Sequence, residues 1–375
     1  VTKISFNTKD LKHGFGLAKI IKPEINDFCI KFDSKGMEIF SYNKRRYVLV
    51  KVLHDRTNDI NDTYSSDEYY ISNDRVALFG SELTTSLISV NDSSLSIKMS
   101  GDDGQTRKTT IKKRSGKSMR SSIPEIDASP SVLLNRNEFD LLLRQVSCSV
   151  LKGESEEDLR LNQVHFYPER NCATSSTGYH GTVVYLNGMQ LDLSIVGPDV
   201  PFIRSFCSKC KGDTIGLKQN DRGLFIVDPI SNSYLFMSKI LVKKPQLHIL
   251  DEDKFETEVF FDKDILRKNL EWAELAIEGT QRLTFKIGRV LSDKCQVEFY
   301  NAGHEISKFE GKLLKGDKLE GDFPVRFLNL IVRYIDGNVV LKFNHFKYPN
   351  IMSVSQYENN GPIQYVHYLA SMKSR

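Results

Sequence analysis

The stretch LRLNQVHFYPERNCATSSTGYHGTVV, residues 159–184, places two alternating, strand-like runs around a turn rich in serine, threonine and glycine. Alternation of apolar and polar residues marks a half-buried strand, and asparagine and glycine mark the reversal between strands. Ser175 and Ser176 near His180 invite a catalytic reading. No G-x-S-x-G elbow encloses either serine, and no acid stands out to orient the histidine. The segment reads as a turn between strands.

Outward from it, the pattern repeats. Segments that read as amphipathic helices begin near Thr8, Asn73, Arg136, Pro198, Asp262 and Phe323, at intervals of roughly one sixth of the chain. Between them lie alternating runs such as GMEIFSYN, SLSIKMS, GLFIVDP, KCQVEFYN and NVVLKFN. The expected class is α+β: six lobes of one helix plus antiparallel strands, paired into three tandem domains at 1–126, 127–250 and 251–375. Proline-bearing linkers, PEIDASPS at 124–131 and KKPQLHILDEDKF at 243–255, set those boundaries. Thr8, Ser72 or Asn73, Asn135, Asp262 and Asp322 are the expected helix caps.

The helices carry apolar stripes and separate basic ones. In GPDVPFIRSFCSKCK the stripe is Ile203, Phe206, Cys207 and Cys210, with Arg204 and Lys211 on another face. In DFPVRFLNLIVRYI it is Val325, Leu328, Val332 and Ile335, with Arg326 and Arg333 apart. Lys12 and Lys19 stand opposite Leu11, Phe15 and Ala18, and Arg136 and Arg144 accompany Phe139, Leu142, Leu143 and Val146. Arg267 and Lys268 lie in a later helix near Glu271 and Glu274. Such faces are either simply solvated or together form a surface for a phosphate backbone, bound without sequence preference and sensitive to salt.

The 375 residues are 40% hydrophobic and 27% charged with a net charge of +4, so the composition permits a nucleic-acid partner without demanding one. No apolar run is long enough for a membrane-spanning helix. VTKISFNTKDLKHG lacks the apolar core of a secretory signal, so a cytoplasmic protein with six reduced cysteines is expected. CSKCK has no second pair of ligands for zinc, and its cysteines fall on an apolar stripe. The basic run QTRKTTIKKRSGKSM, residues 105–119, is either a solvated strand edge or an extra phosphate contact. Neither a phosphate-binding loop, a dinucleotide fingerprint nor a calcium loop is present, so no cofactor or metal is expected.

The ordered set of elements resembles the bacterial sliding clamp, the beta subunit of DNA polymerase III. FDLLLRQVSCSV, the opening stretch, SIVGPDVPFIRSFC and GLFIVDPISNSYLFMSKI follow the family's order in the second domain. FFDKDILRKNLEWAELAI, GDFPVRFLNLIVRYIDGNVVLKF and IQYVHYLASMKSR do so in the third. The resemblance implies a non-enzymatic ring, helices inside and sheets outside, that encircles duplex DNA and tethers a polymerase after a clamp loader has opened it. Twelve lobes per ring imply a head-to-tail homodimer, the first domain of one chain meeting the third of the other. Lys12, Lys19, Lys22, Arg144, Lys152, Arg204, Lys211, Arg326 and Arg333 would then face DNA. Thr177, Gly178, Tyr179, His180, Pro245, His248, Tyr368 and Leu369 would border a pocket for partner peptides. Here Thr177-Gly178-Tyr179-His180 replaces the family's Asp-Gly-His-Arg, and the tail YLASMK departs from its usual Met-Pro-x-Arg, which points to a different partner peptide. The competing expectations are a clamp-fold scaffold that does not encircle DNA and an enzyme with an unrecognised site.

Overall fold

Period-two runs build the sheets of this protein, and short amphipathic runs build the helices laid on them. The computed structural model describes residues 2–21, 27–33, 36–43, 45–54, 68–77, 83–90, 93–112, 130–150, 161–239, 244, 254–277, 282–291, 293–316, 318–344, 351–358, 361 and 363–372. The chain divides into two compact units, Val1–Asn137 with Pro201–Ile240, and Glu138–Val200 with Leu241–Arg375. None of the described helices is long and apolar enough to cross a membrane.

The first unit holds two antiparallel sheets. One runs in the order β1 (Thr2–Asn7), β6 (Leu83–Val90), β7 (Ser94–Gly101), β8 (Thr106–Lys112). The other has eight strands: β5 (Glu68–Ser72), β2 (Asp27–Asp33), β3 (Gly36–Asn43), β4 (Arg46–Leu53), β16 (Ser233–Ser238), β15 (Gly223–Asp228), β14 (Thr214–Gln219) and β9 (Val132–Asn135). Its helices are α1 (Thr8–Ala18), α2 (Asn73–Val76) and α4 (Val200–Lys209). α1 lies close against β3 and β4: a Cβ at Gly14 would meet Val52 Cγ2 at 2.7 Å, so only glycine permits that approach. α2 is a four-residue helix, Asn73–Val76, of which Val76 is buried.

The second unit is built on one twelve-stranded sheet. Its order is β13 (Ser194–Val196), β10 (Gln163–Tyr167), β11 (Cys172–Ser176), β12 (His180–Leu186), β24 (Ile363–Ala370), β23 (Ile351–Gln356), β22 (Val339–Phe343), β17 (Thr257–Phe261), β20 (His304–Lys315), β19 (Lys294–Asn301), β18 (Arg282–Leu291) and β21 (Lys318–Pro324). Helices α3 (Arg136–Ser147), α5 (Lys263–Ala276) and α6 (Val325–Tyr334) accompany it, and α5 packs on α6.

Each large sheet is joined across the seam whose two strands lie farthest apart in sequence. β16 pairs with β4 from Tyr234↔Leu49 to Met237↔Arg46. β12 pairs with β24 from His180↔Leu369 to Leu186↔Ile363. The expected apolar stripes are all buried, including Ile203, Phe206, Cys207 and Cys210 on α4 and Val325, Leu328 and Val332 on α6 with Ile335 just beyond it.

The caps divide. Asn135 accepts from Asn137 N at 2.9 Å, and Asp262 accepts from Asp264 N and Ile265 N at 3.0 and 3.1 Å. Thr8 is not the cap of α1; Asn7 is, accepting from Lys9 N at 2.8 Å, while buried Thr8 Oγ1 meets Ser86 Oγ at 2.8 Å. Asp322 does not cap α6 either: it lies within β21, paired with Arg282 and Thr284, and Pro324 holds the cap position. Ser72, before α2, makes no side-chain capping bond.

Candidate nucleic-acid interface and partner-binding turn

Amphipathic helices turn one stripe to the sheet and leave the other to solvent, and the basic residues lie on the second. Lys12 and Arg326 are exposed and Lys19 is half-buried, with no ion pair for any of the three among the described residues. Arg204 is half-buried. Three of the expected cations instead face carboxylates. Lys211 Nζ lies 2.8 Å from Asp10 of α1, and Arg144 reaches both oxygens of Asp336 at 3.2 and 3.3 Å. Arg333 lies 3.4 Å from Glu271 of α5. Pairs this exposed contribute about 0–1 kcal/mol, so a phosphate can compete for the cation, but each carboxylate lowers the local positive potential. Lys22 and Lys152 lie outside the described residues, as do Pro245 and His248.

The turn between β11 and β12 is held by its own hydroxyls. Gly178 has φ +87°, the left-handed region that glycine enters without a Cβ penalty. Gly178 N donates to Ser176 Oγ at 3.1 Å, and Thr177 N donates to His180 O at 2.9 Å. Ala370 N, at the end of β24, donates to Tyr179 O at 2.9 Å, so turn and tail are neighbours. Tyr179 is 67% exposed, and its ring lies nearly parallel to Phe327 of α6, 6.4 Å between centroids. His180 is buried beneath, 4.7 Å from the same Phe327 ring. Thus Thr177, Gly178, Tyr179, His180, Tyr368 and Leu369 are brought together. Leu369 is wholly buried, and Tyr368, on the opposite face of β24, packs against Tyr167, Cys172 and Val183.

Ser175 and His180 do not face each other; both serve the C-terminal end of α3. Ser175 Oγ donates to Val146 O, and His180 Nε2–H donates to Cys148 O at 2.9 Å. These are carbonyls that a helix end leaves without an intrahelical partner. With Nε2 protonated, the Nδ1 of neutral His180 faces Thr177 Oγ1 at 2.9 Å, and burial pushes its pKa down.

A second buried histidine completes the seam. Gln145 Nε2 donates to Tyr334 O at 2.8 Å, which leaves its Oε1 to accept from His367 Nε2–H at 3.2 Å. His367 Nδ1 must then accept from Thr182 Oγ1 at 2.8 Å, and Thr182 Oγ1 from Ser149 Oγ at 2.5 Å. Every member is satisfied only with a neutral imidazole, and burial lowers the pKa of His367 to about 3. This chain ties α3 to β12, β24 and the end of α6. No local pattern in the sequence announces it, because its partners are as much as 222 residues apart.

Cys207 and Cys210 are buried on the α4 stripe, and burial raises the Cys210 thiol to about 12. The charges of α5 concealed a second apolar face. Ile265, Trp272 and Leu275, which share one side of the helix, are 48%, 59% and 81% exposed.

No family model matches the sequence, and no curated protein does. The folded chain nonetheless has the architecture of the bacterial sliding clamps. The DNA polymerase III beta subunit of Thermotoga maritima superposes with a TM-score of 0.74 at 13% identity, covering all of both chains. That of Pseudomonas aeruginosa gives 0.75 at 11% identity, over 99% of this chain and 100% of the other. The beta subunit of Borrelia burgdorferi gives 0.72 at 14% identity over the whole of both. At such identities the likeness is one of fold.

Proposed function

We propose that this protein is a DNA sliding clamp: two copies close head to tail around duplex DNA and tether a polymerase to it. The observation that carries the reading is the match of fold over the full length of clamp chains. A closed ring resists escape by topology, so its DNA contacts are weak, water-bridged and exchangeable, as sliding requires. In this reading the three domains are 1–126, 127–250 and 251–375, a clamp loader opens the ring in the cytoplasm, and no chemical step is catalysed. Tyr179, Phe327 and the tail beside them receive the partner's peptide through aromatic or aliphatic anchors.

The uncovered face of α5 supports closure by a second copy. A helix with an exposed tryptophan and leucine is ordinarily covered, and aromatic anchors dominate the energetics of such contacts. In the head-to-tail arrangement this face of one chain meets the first domain of the other, where β8 presents Arg107 and Lys108 on an exposed edge.

A scaffold that keeps the fold without encircling DNA is the competing reading. The carboxylates facing Lys211, Arg144 and Arg333 are the observation in its favour. Salt dependence separates the two. For duplex binding measured by fluorescence anisotropy between 20 and 150 mM salt, replacing Lys12 and Arg326 together by alanine is expected to reduce the slope of log K against log salt by about 2. An unchanged slope removes both residues from the DNA surface.

A further inference from the structure

The turn and tail around the β12–β24 seam have a counterpart inside the first unit, where β4 meets β16. α4 and α6 align without a gap from Val200 on Val325. Ile203, Phe206, Cys207 and Cys210 then fall on Leu328, Ile331, Val332 and Ile335, and all eight are buried. The third residue of each helix is a half-buried phenylalanine, Phe202 in α4 and Phe327 in α6. Each ring lies against the first residue of a seam strand. Phe327 is 4.7 Å from the His180 ring, and Arg46 Cζ is 4.4 Å from the centroid of Phe202. The backbone repeats as well. Ala370 N, closing β24, donates to Tyr179 O at 2.9 Å, and Ser238 N, closing β16, donates to Arg45 O at 3.0 Å. His180 pairs with Leu369 and Arg46 with Met237, so the two seams share one register.

What differs between them is charge. Tyr179 and His180 flank the first ring, and burial holds His180 neutral. At the second, the same two positions are Arg45 and Arg46. Two more cations are brought in by the backbone, since Lys239 N donates to Arg222 O at 2.7 Å, one residue beyond the Ser238–Arg45 bond. Arg222 and Lys239 are both exposed. Asn220 Oδ1 accepts from Arg222 N at 2.9 Å and Gly223 N at 3.0 Å, so the turn carrying Arg222 is held in place. Asp221, also exposed, is an acid in that turn. A guanidinium packed on an aromatic ring is weakly hydrated and loses little freedom when a carboxylate takes its N–H groups in pairs.

We propose that the β4–β16 seam is a second docking site for partner proteins, one that takes an acidic peptide: a carboxylate meets Arg46 and a neighbouring apolar side chain packs on Phe202. The proposal rests on the reading of Tyr179 and Phe327 as a peptide site, and it gives one chain two such sites of different selectivity. Partners with acidic segments and partners without them then bind side by side instead of competing. Cations alone suit a phosphate backbone equally well. The half-buried ring among them favours a peptide, because an apolar side chain packs on it and a phosphate does not.

The test is fluorescence anisotropy of the full chain with a short labelled peptide alternating glutamate and leucine, beside glutamate–serine and lysine–leucine controls. The wild type is expected to bind the glutamate–leucine peptide more tightly than either control. Arg46→Glu weakens that binding by about tenfold or more, the worth of charge-assisted hydrogen bonds, and Arg46→Lys restores part of it relative to Arg46→Glu. Phe202→Ala removes the preference over glutamate–serine. Arg222→Ser with Lys239→Ser changes only exposed positions, so it tests the same charge even where Arg46→Glu unfolds the chain, and it costs about threefold. Tyr179→Ala leaves this peptide bound. Loss of binding with Tyr179→Ala, and not with the Arg46 or Arg222 and Lys239 variants, overturns the second site and leaves the first standing. No binding at millimolar peptide, or equal binding of lysine–leucine, also overturns it. So does duplex DNA bound in place of the peptide and weakened by Arg46→Glu, which assigns these cations to phosphates. Retention on closed circular DNA takes no part in these readouts, so encirclement stands or falls separately.

Discussion

Replacing Trp272 and Leu275 together by glutamate is expected to turn a species of twice the 42.9 kDa chain mass into the single chain. Both side chains are largely exposed on α5, at 59% and 81%, so their loss leaves the core of their own unit intact. Surface substitutions of this kind change stability by about 0.5 kcal/mol or less. In the closed dimer proposed above, the same side chains are covered. Each large apolar group taken from water contributes about 2 kcal/mol, and a carboxylate placed there adds a desolvation penalty. The sum weakens closure by roughly a thousandfold or more. Light scattering across a dilution series, with circular dichroism melting as the control for folding, reads both effects. A variant that keeps the dimer mass moves closure away from this face of α5.

His367→Ala is expected to destabilise the second unit by about 3–5 kcal/mol, because it combines a cavity with two polar groups left unpaired. Those groups are the Gln145 Oε1 acceptor and the Thr182 O–H donor, both buried, while Thr182 Oγ1 still accepts from Ser149 Oγ. The pH dependence carries the sign that separates this from a general packing defect. The folded pKa of His367 lies at about 3, below the ordinary value of 6.5. The unfolded chain therefore takes up a proton at this position first as pH falls. The stability that His367 contributes is complete above pH 6.5 and declines toward pH 3, by about 1.4 kcal/mol for each pH unit. Urea unfolding at pH 7.0, 5.5 and 4.5 should show the gap between wild type and His367→Ala narrowing as the solution is acidified. A constant gap would mean that the neutral imidazole is not what holds the seam.

What the sequence disclosed follows the range of the interactions. The stripe Ile203, Phe206, Cys207 and Cys210 is buried as its spacing requires, because one helix turn decides which side chains share a face. Asn135 and Asp262 cap as expected because their acceptors reach N–H groups two or three residues on. Thr8 and Asp322 fail as caps because partners far along the chain claim them: Ser86 lies 78 residues from Thr8, and Arg282 lies 40 from Asp322. The basic stripes were legible, but the carboxylates facing them were not, Asp10 being 201 residues from Lys211. The turn at Thr177–His180 and its meeting with the tail were legible through the resemblance, whereas Phe327 against Tyr179 was not. The apolar face of α5 could have been found: Ile265, Trp272 and Leu275 follow one another at helical spacing, and the charges between them drew the eye away.

Encirclement is the central claim, and topology tests it without any partner protein. Linear duplex with free ends is mixed with the protein at low salt, closed by ligation, and passed over a sizing column at a salt concentration that dissolves simple electrostatic contacts. A ring threaded over the ends before ligation stays with the closed circle and is released when a restriction enzyme reopens it. Protein that leaves closed and reopened DNA alike at that salt concentration contradicts encirclement and favours the scaffold.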